Sequence, residues 1–538
     1  MKRYAKFTII LICFILMIAL LISCEGGGTV NPTQKPESTY APINREDNPD
    51  LYETKGIFLN IDINSVTFPF LNKVQEDGSV TEEDLYPFVD QYVGTQITDI
   101  AFNVNTQISV TRSEVLTDVV ERYNTKEVNG KTVNFTEALK SMYGIYEIYN
   151  IDPYDVWISR TREKGINAWL SIRMNDCHEY DVETSWLHGS IYYEALKNGW
   201  TVNGSGTFKN NLDYAVSEVR QTMLDYIREQ ILRYDVDGLE LDFSREMWCF
   251  KTNDGKDHLS IMNDFMRQVN SIVEAAETKW GHDIKINLRL MRDIEQTKAF
   301  GFDVDTMVSE NLLDAITVCP RWASNDSDMP IDEWKARYPS VEIYGGFTDL
   351  TYNLGNHLQI ATAYAAQFIQ QGADKVYLYN TFNNPYAPNP NYTQMYNICG
   401  DLDTIVQQGQ WYVVTYQDIA PEGYTAWDPL PALAANFKIG ITTGPIASSD
   451  EVLIFVSFDK EITKEDMKLL VNGKEATFVD GEIANRYYDK NANETHLYCY
   501  SISAEYCNNG GEQLIELVPA SHKYRVHYLE LTVTPKAQ

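Results

Sequence analysis

From residue 55 onward the hydrophobic positions fall into two alternating textures. Short β-rich runs begin at Gly56, Ile97, Ala168, Val236, Ile284, Leu313, Val341 and Lys375. Between them lie polar loops and longer stretches in which apolar residues recur every three or four positions. Val216, Val219, Met223, Ile227 and Ile231 form one such stripe within 214–233; Ile261, Met262, Phe265, Val269 and Val273 form the next. That spacing lines one face of a helix, whereas the short runs suit buried strands. Eight strand-and-helix units over about 345 residues predict an α/β fold of the (β/α)8, or TIM-barrel, type. A doubly wound sheet has fewer strands and a Gly-rich phosphate turn, and no G-x-G-x-x-G follows the first run. The loops after the second and third strands, near 105–150 and 174–212, are long, and barrel enzymes build their sites on that face.

Beyond about residue 432 strands follow one another without helices: Phe437 to Ile441, Glu451 to Phe458, Leu469 to Val479, His496 to Ser503, Leu514 to Val518 and Tyr528 to Val533. Asn472-Gly473 between apolar runs signals a hairpin turn. The expectation is a small C-terminal antiparallel β-sandwich, immunoglobulin-like, whose default role is packing against the barrel; sugar binding is the sharper alternative.

The first 24 residues stand apart. Lys2, Arg3 and Lys6 precede an apolar run over 8–22 that ends in Leu21-Ile22-Ser23-Cys24. This is the pattern of a secretory signal with a bacterial lipobox, in which Cys24 is acylated and becomes the mature N-terminus. An uncleaved membrane anchor is the alternative, but a run of about 15 is short against the roughly 20 residues of a span. Residues 25–50 are rich in Gly, Pro and small polar residues and read as a flexible tether reaching about 25 to 30 Å. The expected division is signal 1–24, tether 25–50, catalytic barrel 51–432 and sandwich 433–538, on a protein exported and lipid-anchored to a bacterial membrane, at the cell surface or in the periplasm. In that compartment Cys499 could pair with Cys507, and Cys177 with Cys249, although spacing alone fixes no connectivity.

Composition is that of an ordinary globular protein, with 44% hydrophobic and 22% charged residues over 538 positions. The formal charge of −32 repels a phosphate backbone, so nucleic acid is not an expected partner.

The strongest local signal is Asp237-Gly238-Leu239-Glu240-Leu241-Asp242-Phe243-Ser244-Arg245. Side chains alternate along a barrel strand, so Leu239, Leu241 and Phe243 should face the helices, with Glu240, Asp242 and Ser244 facing the axis. Barrel interiors are normally apolar, and acids placed there need partners or a use. The same alternation turns Trp169, Ser171 and Arg173 inward on the third strand, and Lys285, Asn287 and Arg289 on the fifth. Glu240 is the deeper acid and is expected to pair with Arg289 or Lys285 as structure. Asp242 sits at the carboxyl end, where barrel catalysis takes place, and is the leading catalytic residue.

That run, together with Ser171-Ile172-Arg173-Met174-Asn175-Asp176-Cys177-His178, Gly301-Phe302-Asp303-Val304-Asp305 and Leu312-Leu313-Asp314, resembles the family 10 glycosyl hydrolase-like barrels of bacterial surface lipoproteins, over roughly residues 55–430. The resemblance implies a sugar-hydrolysing barrel without naming a sugar. Family 18 chitinases carry a Glu where this chain has Ser244. Family 13 amylases carry an Arg at the place of Glu240, although Asp242 resembles the position of their nucleophile.

Glycoside hydrolysis needs a second carboxyl group to protonate the leaving oxygen. Candidates are Asp176, Asp293, Asp326, Asp328 and Asp349; Asp176 leads because Arg173 and His178 flank it and its strand neighbours that of Asp242. The catalytic set is therefore Asp242, Asp176 and Glu240. The substrate-binding set is Arg173, His178, Asn103, Arg245, Arg289, Trp248, Trp322, Asp349 and Tyr379. Trp186, Phe382 and Tyr386 are further strand-end aromatics on which sugar rings could stack, or which simply plug the mouth. No H-E-x-x-H, paired C-x-x-C or G-x-S-x-G occurs, so no metal or cofactor is expected, beyond a structural Ca²⁺ at Asn325-Asp326-Ser327-Asp328. Two functions remain open: a lipid-anchored glycoside hydrolase acting on a polysaccharide or glycan, and a glycan-binding surface lipoprotein on a hydrolase-like barrel.

Overall fold

A computed structural model describes residues 56–62, 79–128, 130–133, 137–177, 184–202, 210–251, 255–321, 324–348, 357–381, 383–416, 428–479, 481, 495–521 and 523–536. Cys24 and the apolar run at 8–22 lie outside the described residues. Among the described residues no helix is long and apolar enough to cross a membrane.

Eight parallel strands close into a barrel: β1 (Ile57–Ile61), β2 (Ile97–Asn103), β3 (Asn167–Arg173), β4 (Gly238–Asp242), β5 (Lys285–Leu290), β6 (Ala315–Val318), β7 (Glu342–Thr348) and β8 (Lys375–Tyr379). All eight expected strands are present, and β8 pairs with β1 to complete the ring. Leu239 and Leu241 join the cluster between strands and helices, so the alternation places Glu240 and Asp242 on the axis. The two apolar stripes become α1 (Ser217–Arg233) and α2 (Leu259–Trp280). Helix α2 stops at Gly281, whose φ of 81° a residue with a Cβ tolerates poorly.

Aromatic side chains fill the lower barrel. Trp169 meets Phe58 edge-on at 5.0 Å, and Phe58 lies 5.3 Å from Tyr377 and 5.5 Å from Tyr344. Beneath them Asp99 accepts from the Trp169 indole at 2.9 Å and pairs with Lys375. Lys285 lies at the start of β5, half-exposed, and pairs with Glu342 at 3.3 Å, so it does not enter the barrel as the alternation alone suggested.

Gly238 opens β4 because Trp169 occupies the space a side chain would need. A Cβ there would lie 2.1 Å from the indole ring. Gly238→Ala is therefore expected to destabilise the barrel by about 2 kcal/mol through overpacking. A denaturation curve matching wild type would show that the ring has room to move.

The C-terminal strands form two antiparallel sheets. One runs β9 (Gln410–Val413), β18 (Arg525–Thr534), β12 (Glu451–Phe458), β16 (His496–Ser503), β15 (Thr477–Val479), with β10 (Ala432–Leu433) also on β18. The other runs β11 (Lys438–Thr443), β17 (Gly511–Pro519), β13 (Met467–Val471), β14 (Lys474–Glu475). This is a TIM barrel followed by a β-sandwich. The hairpin turn expected at Asn472-Gly473 is present, both residues having the positive φ that a two-residue hairpin requires, and it divides the Leu469 to Val479 run between β13 and the strands β14 and β15. The sandwich also begins earlier than residue 433, because Gln410–Val413 pairs with β18. Only four residues, 406–409, separate it from the helix Leu402–Ile405.

No disulfide joins the six described cysteines, so neither suggested pair forms. Cys499 sits inside β16, and the Cys249 thiol accepts from the Asn175 amide at 3.7 Å.

Candidate active site

Two inward layers of polar side chains stand above the aromatic plug. In the lower one, strand register sets Ser171, Glu240 and Asn287 side by side. Glu240 Oε1 accepts from Asn60 at 2.8 Å, Ser171 at 2.7 Å and Tyr377 at 3.1 Å, and Oε2 accepts from Asn287 at 3.0 Å. The donors come from β1, β3, β8 and β5 and all are neutral. Burial, and then the negative charge of Asp242, push the Glu240 carboxyl up to about 7. The expected pairing with Arg289 or Lys285 is absent. Parallel neighbours meet in register, so Arg289 lies opposite Asp242, one layer higher.

In that upper layer Arg173, Asp242 and Arg289 are register partners. Asp242 Oδ1 accepts from Arg289 Nη1 at 2.7 Å and from the Arg245 backbone N–H at 2.8 Å. Its other oxygen, Oδ2, is buried without a partner among the described residues. So is the hydroxyl of Tyr379, whose ring lies 3.6 Å from the Arg289 guanidinium. Buried polar atoms are nearly always paired. Two that are not lie on inward residues at the carboxyl ends of β4 and β8.

Ion pairs rim this centre. Arg173 binds Asp62 and Asp176, each at 3.1 Å, and Arg245 approaches Asp176 at 3.8 Å. Arg321 holds Glu246 through two bonds of 3.1 Å. Asn380 Oδ1 also accepts from Arg173 at 3.4 Å. Sequence reasoning missed Asp62, Asn380, Glu246 and Arg321 as rim residues, and Asn60 and Tyr377 as partners of Glu240. Asp62 follows β1 directly, so its place at a strand end is legible in the sequence. A cavity of about 30 Å³ beside Asp176, lined also by Asn105, Thr106 and Asn175, has room for a water or two rather than a sugar ring.

The remaining candidates divide. Asn103 is buried beside the site, its amide donating to the Ser171 carbonyl at 3.2 Å. Trp248 packs edge-on against Phe300 at 4.9 Å, and Trp186 is buried in the main core, so Trp186 offers no open stacking face. Tyr386 is exposed and donates to the Asp84 carbonyl. Asp293 caps the short helix Ile294–Ala299. Asp326 binds Arg292 at 2.6 Å and Asp328 accepts from Thr442 at 2.7 Å. A guanidinium thus stands where the suggested Ca²⁺ would need open carboxylate oxygens. His178, Trp322, Asp349 and Phe382 lie outside the described residues. Among the described residues, no cluster of three or more His, Cys, Asp or Glu is arranged to hold a metal.

No protein-family model matches the chain, so the resemblance to family 10-like barrels rests on the quoted motifs alone. No curated protein matches it either. Solved structures show distant similarity. An α-amylase from Anoxybacillus is 11% identical with a TM-score of 0.37, covering 90% of this chain and 99% of its own. An α-L-fucosidase isoenzyme 2 from Paenibacillus thiaminolyticus is 10% identical with a TM-score of 0.38, covering 64% of this chain and 48% of its own. A cycloisomaltooligosaccharide glucanotransferase from Paenibacillus sp. is 9% identical with a TM-score of 0.33, covering 90% and 57%. The chain thus spans about half the length of two of these three. Scores this low carry no argument about what the site does.

Proposed function

We propose that the chain is an exported, lipid-anchored glycoside hydrolase acting on a polysaccharide or glycan. The observation that supports this reading best is the half-anchored carboxylate of Asp242. One oxygen is fixed by Arg289 and the Arg245 amide, while the other is buried and has no partner among the described residues. Such a group is oriented in advance and has one oxygen left to meet positive charge developing at an anomeric carbon. Asp176, at the end of the neighbouring strand, is the second carboxyl group in this reading. In this reading it is the group that protonates the leaving oxygen.

A glycan-binding surface lipoprotein is the second reading. It is favoured by one specific observation: Asp62, Asp176, Asp242 and Glu246 each have an arginine partner, whereas hydrolysis needs a carboxyl group that carries a proton at the first step. A panel of glycans and aryl glycosides separates the two. Cleavage of any member supports the hydrolase, and calorimetric binding without cleavage across the panel supports the lectin-like alternative.

The anchor has its own test. Cys24→Ala removes the thiol that would carry lipid, so palmitate labelling is expected to vanish and the protein to leave the membrane fraction. A wild-type protein that takes up no label would overturn the lipobox reading.

A further inference from the structure

In the loop after β6 the stretch 325–328 is buried although every residue in it is polar. Asn325, Asp326, Ser327 and Asp328 are each at most 2% exposed. Loops normally run over the surface because water satisfies their backbone, so a fully buried one needs partners on every side. Three elements supply them. From the barrel, Asn325 exchanges two 2.9 Å bonds with the Thr348 backbone, and Arg292 binds Asp326 Oδ2 at 2.6 Å and the Asp328 carbonyl at 3.0 Å. From the segment after β9, Thr415 exchanges bonds of 2.8 and 3.1 Å with the Asn325 backbone. From the sandwich, Thr442 on β11 donates its hydroxyl to Asp328 Oδ1 at 2.7 Å and its amide to the Ser327 carbonyl at 3.1 Å.

The same loop begins at the active-site rim. Arg289 donates to the Pro320 carbonyl at 3.0 Å, and Arg321 holds Glu246. Glu246 follows Arg245, whose backbone amide fixes Asp242.

We infer that the β-sandwich is a clamp on the β6 mouth loop, with Thr442 as the positioning residue. In this arrangement the sandwich holds Arg321 and the Pro320 carbonyl against Glu246 and Arg289 and is not a module that could be exchanged freely. The link to catalysis rests on the hydrolase reading above; the clamp itself does not.

The test compares Thr442→Val and Thr442→Ser with wild type in the full chain, by amide hydrogen exchange over 324–329. Valine keeps the shape and the backbone bond but removes the hydroxyl donor, leaving Asp328 Oδ1 without it. Exchange in that loop is expected to quicken about fivefold in Thr442→Val, with β3, β4 and β5 peptides unchanged and serine restoring protection. On a cleaved glycan, kcat is expected to fall in the valine variant and return with serine. Unchanged loop exchange in Thr442→Val overturns the clamp, whatever the activity. Faster exchange without any cleavage by wild type leaves the clamp standing and removes the hydrolase reading.

Discussion

Asp242→Asn is expected to lower turnover of any glycan the wild type cleaves by about 10² to 10⁴-fold while the barrel stays folded. The amide oxygen can take the place of Oδ1 and accept from both Arg289 and the Arg245 amide, so the geometry is largely kept. What disappears is the negative charge beside Oδ2. In a buried site that charge is worth about 3 to 5 kcal/mol to a transition state with positive character. Folding will not be untouched. Arg289 is fully buried and Asp242 is its counter-charge, so neutralising the acid should cost about 1 to 3 kcal/mol of stability. Turnover must therefore be read beside a thermal melt at a temperature where both proteins are folded. A folded Asp242→Asn variant with near-native turnover would remove Asp242 from the chemistry and return the search to Asp62, Asp176 and Glu246.

The strand phase was legible because period-two alternation needs only local residues. Leu239, Glu240, Leu241 and Asp242 divide between the two sides of β4 as their polarity dictates. Partners were harder to read, because they depend on how eight strands are staggered around the ring. Glu240 and Arg289 are both inward, yet the register sets Arg289 against Asp242 and leaves Glu240 to Asn287. Asn60 and Tyr377 reach Glu240 from strands 180 and 137 residues away, distances over which a single sequence gives no pairing signal. The acidic loop at 325–328 misled for a related reason. Polar turn residues suggest a surface site, but here Arg292 and Thr442 bury them. Likewise Gln410–Val413 is too short to announce that its hydrogen bonds go to a strand more than a hundred residues on.

Glu240→Gln is expected to gain stability relative to wild type as pH rises, by about 3 kcal/mol between pH 4.5 and 8. Glutamate in an unfolded chain loses its proton near the usual 4.5, whereas burial holds the folded Glu240 to about 7. Across that window the folded state binds the extra proton. Raising the pH therefore drains wild-type stability until about pH 7, after which the loss is complete. The interval corresponds to about 3 kcal/mol at 1.36 kcal/mol for each pH unit. Glutamine has no proton to lose and escapes the drain. Its carbonyl suits the three donors that meet Oε1, and its amide nitrogen would face Asn287. A flip of the Asn287 amide would meet that nitrogen, since Thr317 beside it can donate or accept. Near pH 4.5 the two proteins should then be close in stability, and titrating groups not coupled to Glu240 cancel in the difference. Urea denaturation of both at pH 4.5, 6 and 8 reads the effect. An ion pair between Glu240 and Arg289 would give the opposite sign, with glutamine doing most harm at high pH, where it leaves the guanidinium alone. A difference that does not change with pH would mean instead that Glu240 titrates in the barrel much as it does in water.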